Sequence, residues 1–218
     1  MPSWVFTVKL DLRYTVRYST GMYDDGGNKG NILQVALGLF SERGYEAVGV
    51  AEICEASGIT KPTLYHYFGS KRGLLDAIIA ERGGPLALRI RDAASYAAGD
   101  RARGVSDGLE RVALTMTAFA KEDGAFARLR LSLAFAPPSS EGWQAASSLN
   151  EGIFAAVESF FLEAAKDHGN MRGRSKPYAA AFIGTIDTYV GLFLAGHSSL
   201  DDEVVRGAVR QFMYGIFS

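Results

Sequence analysis

Residues 58–71 read GITKPTLYHYFGSK, a short segment that carries hydroxyl groups, cations, an imidazole and no carboxylate. The whole chain has a formal net charge of -1, so the absence of acid is local to this segment. Hydroxyl, ammonium and imidazole groups bind phosphate oxygens and the edges of bases. The segment is therefore predicted to contact a polyanion. Because the chain is not basic overall, any nucleic-acid site must be a local patch.

The residues around this segment predict a helix-turn-helix, in which two short helices are joined by a tight turn. One face of the first of these helices is formed by apolar and small residues at helical spacing: Val50, Ile53, Cys54 and Ser57. Gly58 suits the turn because it adopts a positive φ without a Cβ clash. Thr60 is predicted to cap the next helix, with Pro62 in its first turn, where a missing N–H does no harm.

The second helix of this motif, predicted at residues 61–68 and called here the recognition helix, has two different faces. Leu64 and Phe68 lie four residues apart and are expected to pack inward, with Tyr67 beside them. The opposite face carries the polar and cationic side chains, with Thr63 at its edge: Lys61, Pro62, Tyr65 and His66. A face of this kind needs only its first turns in a major groove to contact base edges.

Two cations follow in the first turn of the next helix, after the stop and cap at Gly69-Ser70. Lys71 and Arg72 are unfavourable there because the helix dipole is already positive at that end. This unfavourable electrostatic free energy would be offset if a DNA phosphate docked among Lys71, the free N–H groups of the helix end, and Tyr65 or Tyr67. The alternative is a solvated pair of cations beside ordinary surface aromatics.

The sequence ILQVALGLFSERGYEAVGVAEICEASGITKPTLYHYFGSKRGLLDAI closely resembles the DNA-binding region of the TetR/AcrR family of transcriptional regulators. The resemblance implies a homodimer that places its third helix in the major groove of a palindromic double-stranded DNA operator. It implies that the recognition-helix residues and the lysine after them contact DNA: Lys61, Pro62, Thr63, Tyr65, His66, Tyr67 and Lys71. Where the family has Thr or Ser, this chain has Val48-Gly49-Val50, so contacts at that end are expected only from the backbone N–H groups of Gly49 and Val50.

An all-α fold is predicted, with about nine to ten helices in two parts. Residues 29–80 form the DNA-binding domain and residues 81–218 a larger helical bundle for effector binding and dimerisation. The bundle helices are predicted at 86–98, 105–122, 125–135, 141–167, 176–195 and 202–217. Gly83-Gly84-Pro85 is expected to separate the two parts.

Residues 1–28 are predicted to be an N-terminal extension and linker. Residues 3–19 alternate apolar and polar side chains, which is typical of a strand, yet no other strand is predicted for it to join. One interpretation is a leader foreign to the native protein, with Met22 as the native start. The other is an arm that pairs with its own copy in a dimer.

The bundle is expected to enclose a pocket for a small, largely apolar effector of unknown identity, as the resemblance implies. The candidate lining residues are Thr115, Phe119, Trp143, Asp187 and Tyr189. Asp187 lies within an apolar helix and must find a partner there. That partner is predicted to be Arg128 or Arg130, or else a cationic ligand.

The last two helices are predicted to form the dimer interface. Small residues on one helix allow close approach, and an apolar stripe covers the other: Gly184, Thr188 and Gly191, then Val205, Val209, Phe212 and Met213. The alternative is that both helices pack wholly inside the protomer.

Catalysis, a metal site and a cofactor are not expected. His66, His168 and His197 lack metal-ligand spacing, and GGNKGN at 26–31 lacks the residues of a phosphate-binding loop. The single cysteine indicates a reducing compartment, and the N-terminus lacks a secretory pattern, so a cytoplasmic protein without a membrane partner is predicted. The favoured function is a ligand-responsive repressor. The alternatives are an activator or effector-blind regulator, and a helical small-molecule binding or adaptor protein that has lost DNA binding.

Overall fold

A computed structural model of the protein describes residues 25–96 and 104–215. The predicted N-terminal strand lies outside the described residues, as do the last residues of the helices predicted at 86–98 and 202–217. Within the described ranges the chain is helical and contains no strand. The predicted all-α class is therefore confirmed.

Ten α-helices follow one another in the described residues. The first four are α1 (Asp25–Arg43), α2 (Val50–Ser57), α3 (Lys61–Phe68) and α4 (Lys71–Ile78). The remaining helices are α5 (Gly84–Ala93), α6 (Gly104–Glu122), α7 (Gly124–Ala134), α8 (Glu141–Asp167), α9 (Ser175–Leu194) and α10 (Asp202–Tyr214). A π-helical turn, Ile79–Gly83, lies between α4 and α5, and a 3-10 turn, Gly169–Met171, lies between α8 and α9. Helices α6 to α10 begin within one residue of their predicted starts.

The structure differs from prediction at both ends of the DNA-binding unit. Helix α1 begins at Asp25, inside the segment predicted as a linker. The chain also stays helical through Gly83-Gly84-Pro85, where Gly84 adopts the helical angles φ −56° and ψ −52°. A proline in the first turn of a helix sacrifices no internal hydrogen bond, and the wider π turn precedes it. Helices α4 and α5 are therefore one helical segment that links the DNA-binding unit to the bundle.

Helix α1 is buried on two sides rather than along one stripe. Ile32, Ala36 and Phe40 are buried, and Leu33 and Leu37 are buried as well. The helix packs against α2 and α4 on one side and α7 on the other. One continuous apolar core therefore runs from the helix-turn-helix into the bundle.

The core of the bundle is aromatic. Phe126, Phe160, Phe161 and Phe182 are all fully buried, and the Phe160 and Phe161 rings meet edge to face with centroids 5.6 Å apart. Helix α9 is long and apolar enough to cross a membrane by length and composition. It nevertheless packs against α6, α7, α8 and α10, as a helix of the bundle.

The contact between α6 and α8 depends on Gly108. A Cβ at this position would lie 2.2 Å from Cε2 of Phe160, inside a packed ring cluster. Gly108→Ala is therefore expected to lower the free energy of unfolding by about 1–3 kcal/mol through overpacking. Urea denaturation measures the change.

Gly152→Ala is the matched control, since that glycine is exposed on α8 and a Cβ there would meet nothing within 4 Å. It is expected to stabilise the protein by about 0.5–1 kcal/mol, because alanine restricts the unfolded chain more than glycine does. Equal stability of the two variants would contradict the close packing of α6 on α8.

Candidate nucleic-acid interface

The turn between α2 and α3 has the geometry that the sequence predicts. Gly58 adopts φ +67° and ψ 30°, the left-handed conformation that ends a helix, and its N–H donates to the Glu55 carbonyl at 3.2 Å. The Thr60 hydroxyl accepts from the Thr63 N–H at 3.4 Å, which caps α3. Gly49 is the N-cap of α2 and supplies no side-chain hydrogen bond. The predicted caps are thereby confirmed, including the missing hydroxyl at Gly49.

Helix α3 exposes the side that the sequence assigns to DNA. Lys61, Pro62 and His66 are exposed, and Tyr65 keeps 46% of its surface exposed. Leu64 is completely buried beneath them. No acidic residue lies in the first turn of α3, and none occurs anywhere along the helix. The helix therefore presents cationic, hydroxyl and imidazole groups without a competing carboxylate of its own.

Two predicted contact residues lie at the margin of this face. Thr63 is half-buried, and its hydroxyl lies 2.9 Å from the Thr60 hydroxyl in a hydrogen bond. Tyr67 is half-buried against the core, with its ring centroid 5.4 Å from that of His66. Both side chains support the exposed face from beneath.

Lys71 contacts a residue that the sequence did not single out. Its ammonium is 4.1 Å from the centroid of the Tyr45 ring, a cation–π contact. Partial burial lowers the pKa of Lys71, while Glu46 and Glu141 act to raise it. The Gly44-Tyr45 pair belongs to the stretch that carries the family resemblance, but no spacing rule relates Tyr45 to Lys71.

Arg72, the second cation in the first turn of α4, has hydrogen-bond partners within the protein. The Arg72 guanidinium donates to the Asp76 carboxylate at 2.8 Å, one helical turn further along α4. It also donates to the backbone carbonyl of Glu141 in α8 at 3.2 Å. The dipole argument for a bound phosphate therefore applies to Lys71 and not to Arg72.

Tyr45 connects this edge to the bundle. Its side chain is 2% exposed, and its hydroxyl donates to the Glu141 carboxylate at 2.8 Å. Burial raises the pKa of Tyr45, and the hydrogen bond to Glu141 adds to the increase. The phenol thus stays protonated and remains a donor throughout the neutral range.

The candidate effector residues do not all line the small cavity that lies within the bundle. A small apolar cavity between α5, α6, α7 and α9 leaves about 10 Å³ for the centre of a water molecule. Its lining is Leu86, Ile90, Met116, Phe119, Ala120, Ala127, Arg130 and Val190. Phe119 is the one predicted effector residue in this lining. Thr115, Trp143 and Tyr189 are half-buried outside it, and the Thr115 hydroxyl donates to the Arg111 carbonyl of its own helix at 2.8 Å.

Asp187 has the partner that the sequence predicts. Its carboxylate forms a buried ion pair with Arg130, and both side chains are only 7% exposed. Arg130 also lines the small cavity. Arg128, the other predicted partner, donates instead to the Leu194 carbonyl at 2.5 Å. The interpretation of Asp187 as the site of a cationic ligand is therefore not needed to explain its burial.

The predicted dimer residues divide into two groups. Gly184 and Thr188 are exposed on α9, with Gly191 half-exposed on the same helix. Val205 and Val209 of α10 are 2% and 0% exposed and face the core, where α10 packs on α6. The prediction that these two side chains contact a partner is therefore wrong, because the protomer itself buries them.

Two further residues of α10 also serve the protomer. Phe212 is half-buried, and its ring lies 5.4 Å from that of Phe182 and 6.3 Å from that of Phe161. Met213 is half-buried against the same core. The sequence could not separate these roles, since an apolar stripe looks alike whether it meets its own bundle or a second copy.

The described residues contain no group of three His, Cys, Asp or Glu side chains that could hold a metal ion. Cys54 is buried, and burial raises the pKa of its thiol. Its side chain is thus part of the helix-turn-helix core.

Comparison with known proteins identifies the family of the DNA-binding region. Residues 32–78 match the family model described as bacterial regulatory proteins, tetR family. Over 191 residues the chain is 26% identical to the transcriptional activator FasR from Mycolicibacterium smegmatis, covering 86% of this chain and 81% of FasR. Residues 32–78 are thus a DNA-binding region of the TetR family. The named relatives of the chain are transcriptional regulators and not enzymes.

Two further transcriptional regulators match over a shorter region or in fold. The transcriptional repressor KstR2 from Rhodococcus jostii is 42% identical over 53 residues, which are 24% of this chain and 26% of KstR2. That match thus spans only about a quarter of KstR2. FadR from Bacillus subtilis, solved in complex with stearoyl-CoA, is 19% identical with a TM-score of 0.68, covering 86% of this chain and 98% of FadR. At that identity the likeness shows the fold alone.

Proposed function

We propose that the protein is a cytoplasmic, homodimeric regulator that binds a palindromic DNA operator through α3. The observation that carries this proposal is the exposed, carboxylate-free face of α3 in a helix that is capped and seated on the core. Lys61, Tyr65 and His66 would reach base edges, while Lys71 and the backbone N–H groups of Gly49 and Val50 would hold phosphates.

Repression is the favoured mode of control. A homodimer bound to an operator blocks access of RNA polymerase to the promoter until the homodimer dissociates. Named relatives include both a repressor, KstR2, and an activator, FasR, so the same DNA-binding unit serves either outcome. An activating or effector-blind regulator is therefore the alternative within this proposal.

Release would come from a small, largely apolar effector that enters between α5, α6, α7 and α9. The cavity there is lined almost wholly by apolar side chains but holds no more than about one water. Ligand pockets usually measure about 300–1,000 Å³, so binding must push these helices apart. Because α5 continues into α4 through the π turn, the push would reach the DNA-binding unit directly.

This motion would change the distance between the two recognition helices. An operator requires them about one helical turn apart, roughly 34–36 Å, so a shift of a few ångströms weakens binding. The effector must favour the non-binding geometry by about 1–3 kcal/mol to act as a switch. Fatty-acyl compounds, stearoyl-CoA among them, are suitable first probes because the cavity lining suits an alkyl chain.

Dimerisation is proposed to use the exposed side of α9. Leu192 is 41% exposed on this helix, which also carries the small residues Gly184 and Thr188. Leu192→Glu is expected to place a charge in the interface and convert the dimer into monomers at micromolar concentration. Sedimentation velocity measures the change. Leu88→Glu, on the exposed side of α5, is the control and should stay dimeric. A dimeric Leu192→Glu variant would reject this interface.

The salt dependence of operator binding tests the proposed function. The operator is obtained by selection from random duplexes with the full chain. Its affinity is then measured by fluorescence anisotropy between 50 and 300 mM salt, conditions chosen because binding that neutralises phosphates weakens steeply there. Lys71→Ala is expected to reduce the slope of log affinity against log salt by about one per protomer, or about two for the dimer.

Lys176→Ala is the control, because this lysine is exposed at the start of α9, in the bundle. Its slope should equal that of the wild type. If the wild-type protein shows no sequence-dependent affinity for any duplex, the protein is instead the helical small-molecule binding or adaptor protein. Equal slopes for wild type and Lys71→Ala would reject the phosphate role of Lys71.

A further inference from the structure

The bundle reaches the proposed phosphate site through the first turn of α8. The Glu141 carboxylate accepts from the Tyr45 hydroxyl at 2.8 Å, and its backbone carbonyl accepts from Arg72 at 3.2 Å. Tyr45 in turn places its ring 4.1 Å from the Lys71 ammonium. A residue of the bundle thus contacts both the phenol that supports Lys71 and the cation beside it.

Close packing fixes this contact. A Cβ at Gly142 would lie 2.7 Å from Cδ2 of Leu133 and 3.4 Å from Cδ1 of Tyr45. The absence of a side chain at Gly142 therefore lets α8 approach the Tyr45 ring. The approach brings the charge of Glu141 to the edge of the DNA-binding unit, although the sequence separates Glu141 from Tyr45 by 96 positions.

Two carboxylates lie within electrostatic reach of Lys71 without neutralising it. Glu46 and Glu141 both favour the charged form of Lys71 and so oppose the effect of burial on its pKa. In the described part of the chain, Lys71 forms no ion pair with either of them. Its ammonium is held by the Tyr45 ring, which attracts a cation but does not compete strongly with a phosphate.

We propose that the Tyr45 hydroxyl keeps the Glu141 carboxylate away from Lys71, so that helix α8 sets the positive charge offered to a DNA phosphate. This inference rests on the proposed function, since it concerns the regulation of the same site. When the hydrogen bond is made, Lys71 is free to bind the phosphate. When α8 moves and the bond breaks, the released carboxylate pairs with Lys71 and operator affinity falls.

Four proteins test this inference on the selected duplex: wild type, Tyr45→Phe, Glu141→Gln and the double variant. Tyr45→Phe keeps the ring and loses the hydroxyl, so it is expected to bind about 5-fold more weakly with a shallower salt slope. Glu141→Gln keeps an oxygen acceptor and loses the charge, so it should bind at least as tightly as wild type. The double variant should recover the affinity of Glu141→Gln, because the carboxylate that the Tyr45 hydroxyl restrains is absent and Glu46 is the same in all four proteins.

The affinity of the double variant distinguishes an effect of the Glu141 charge from damage to packing around Tyr45. If Tyr45→Phe weakens binding and the double variant is equally weak, the hydroxyl acts only through packing and the inference is wrong. Wild-type affinity of Tyr45→Phe also overturns it. In a Lys71→Ala background, the differences among the four proteins should disappear. Persistence of these differences counts against the inference alone, whereas failure of the wild type to bind any duplex rejects the proposed function as well.

Discussion

Tyr65→Ala is expected to weaken binding to the selected duplex by about 10- to 100-fold, the range for one lost contact to a base edge. The side chain is 46% exposed at the centre of the α3 face, next to the buried Leu64. Because this position lies on the surface, the free energy of unfolding should change by no more than about 0.5 kcal/mol. Fluorescence anisotropy gives the affinity, and urea denaturation gives the stability.

The specificity of the Tyr65 effect is checked in two ways. Leu88→Ala, at an exposed apolar position on α5, should leave affinity unchanged. Binding of Tyr65→Ala to an unrelated duplex should stay close to wild type, since phosphate contacts dominate non-specific affinity. Wild-type affinity of Tyr65→Ala for the selected duplex would show that this face of α3 does not read bases.

Asp187→Ala is expected to cost about 3–5 kcal/mol of unfolding free energy, because it leaves the Arg130 charge buried without a partner. The two side chains form an ion pair at 7% exposure each, between α7 and α9. Urea denaturation at fixed protomer concentration measures the loss, since the apparent stability of the proposed dimer would depend on concentration.

Two controls separate the missing charge partner from the lost contact. Arg130→Met combined with Asp187→Leu removes both charges and should recover most of the stability, as apolar side chains of similar size replace them. Arg206→Ala breaks an exposed pair with Glu110 and should cost only about 0–1 kcal/mol. If Asp187→Ala is as mild as Arg206→Ala, the Arg130–Asp187 pair is not an important part of the core.

The features that sequence could predict depend on local rules. The left-handed turn at Gly58, the caps at Thr60 and Ser70, and the inward side of α2 each follow from a few adjacent residues. The starts of α6 to α10 were also predictable, because polar and glycine-rich separators mark them. The exposed face of α3 followed from its helical period alone.

The features that sequence could not predict depend on contacts between distant elements. Helix α10 is the clearest case, since Val205 and Val209 meet α6 instead of a second protomer. The Tyr45–Glu141 hydrogen bond joins residues far apart in sequence, with no pattern to relate them. The continuous helix through Gly83-Gly84-Pro85 is a third case, where the bundle stabilises what local propensity disfavours.

The residues proposed from sequence for the effector site show the same limit. Thr115 and Tyr189 lie on α6 and α9, two of the four helices that line the cavity, but not in its lining. Trp143 lies on α8, which contributes no residue to that lining. Phe119 of α6 and Arg130 of α7, the partner of Asp187, do line the cavity. A helical period predicts which side is inward but not which neighbour that side will meet.

Amide hydrogen exchange of the full chain, with and without saturating selected duplex, tests most directly whether α3 binds DNA. Exchange should slow in residues 60–67 and at the N–H groups that begin α4, residues 70–73, while α9 remains unchanged. Unchanged exchange throughout α3 at saturation, with protection confined to the bundle, would contradict DNA binding through this helix.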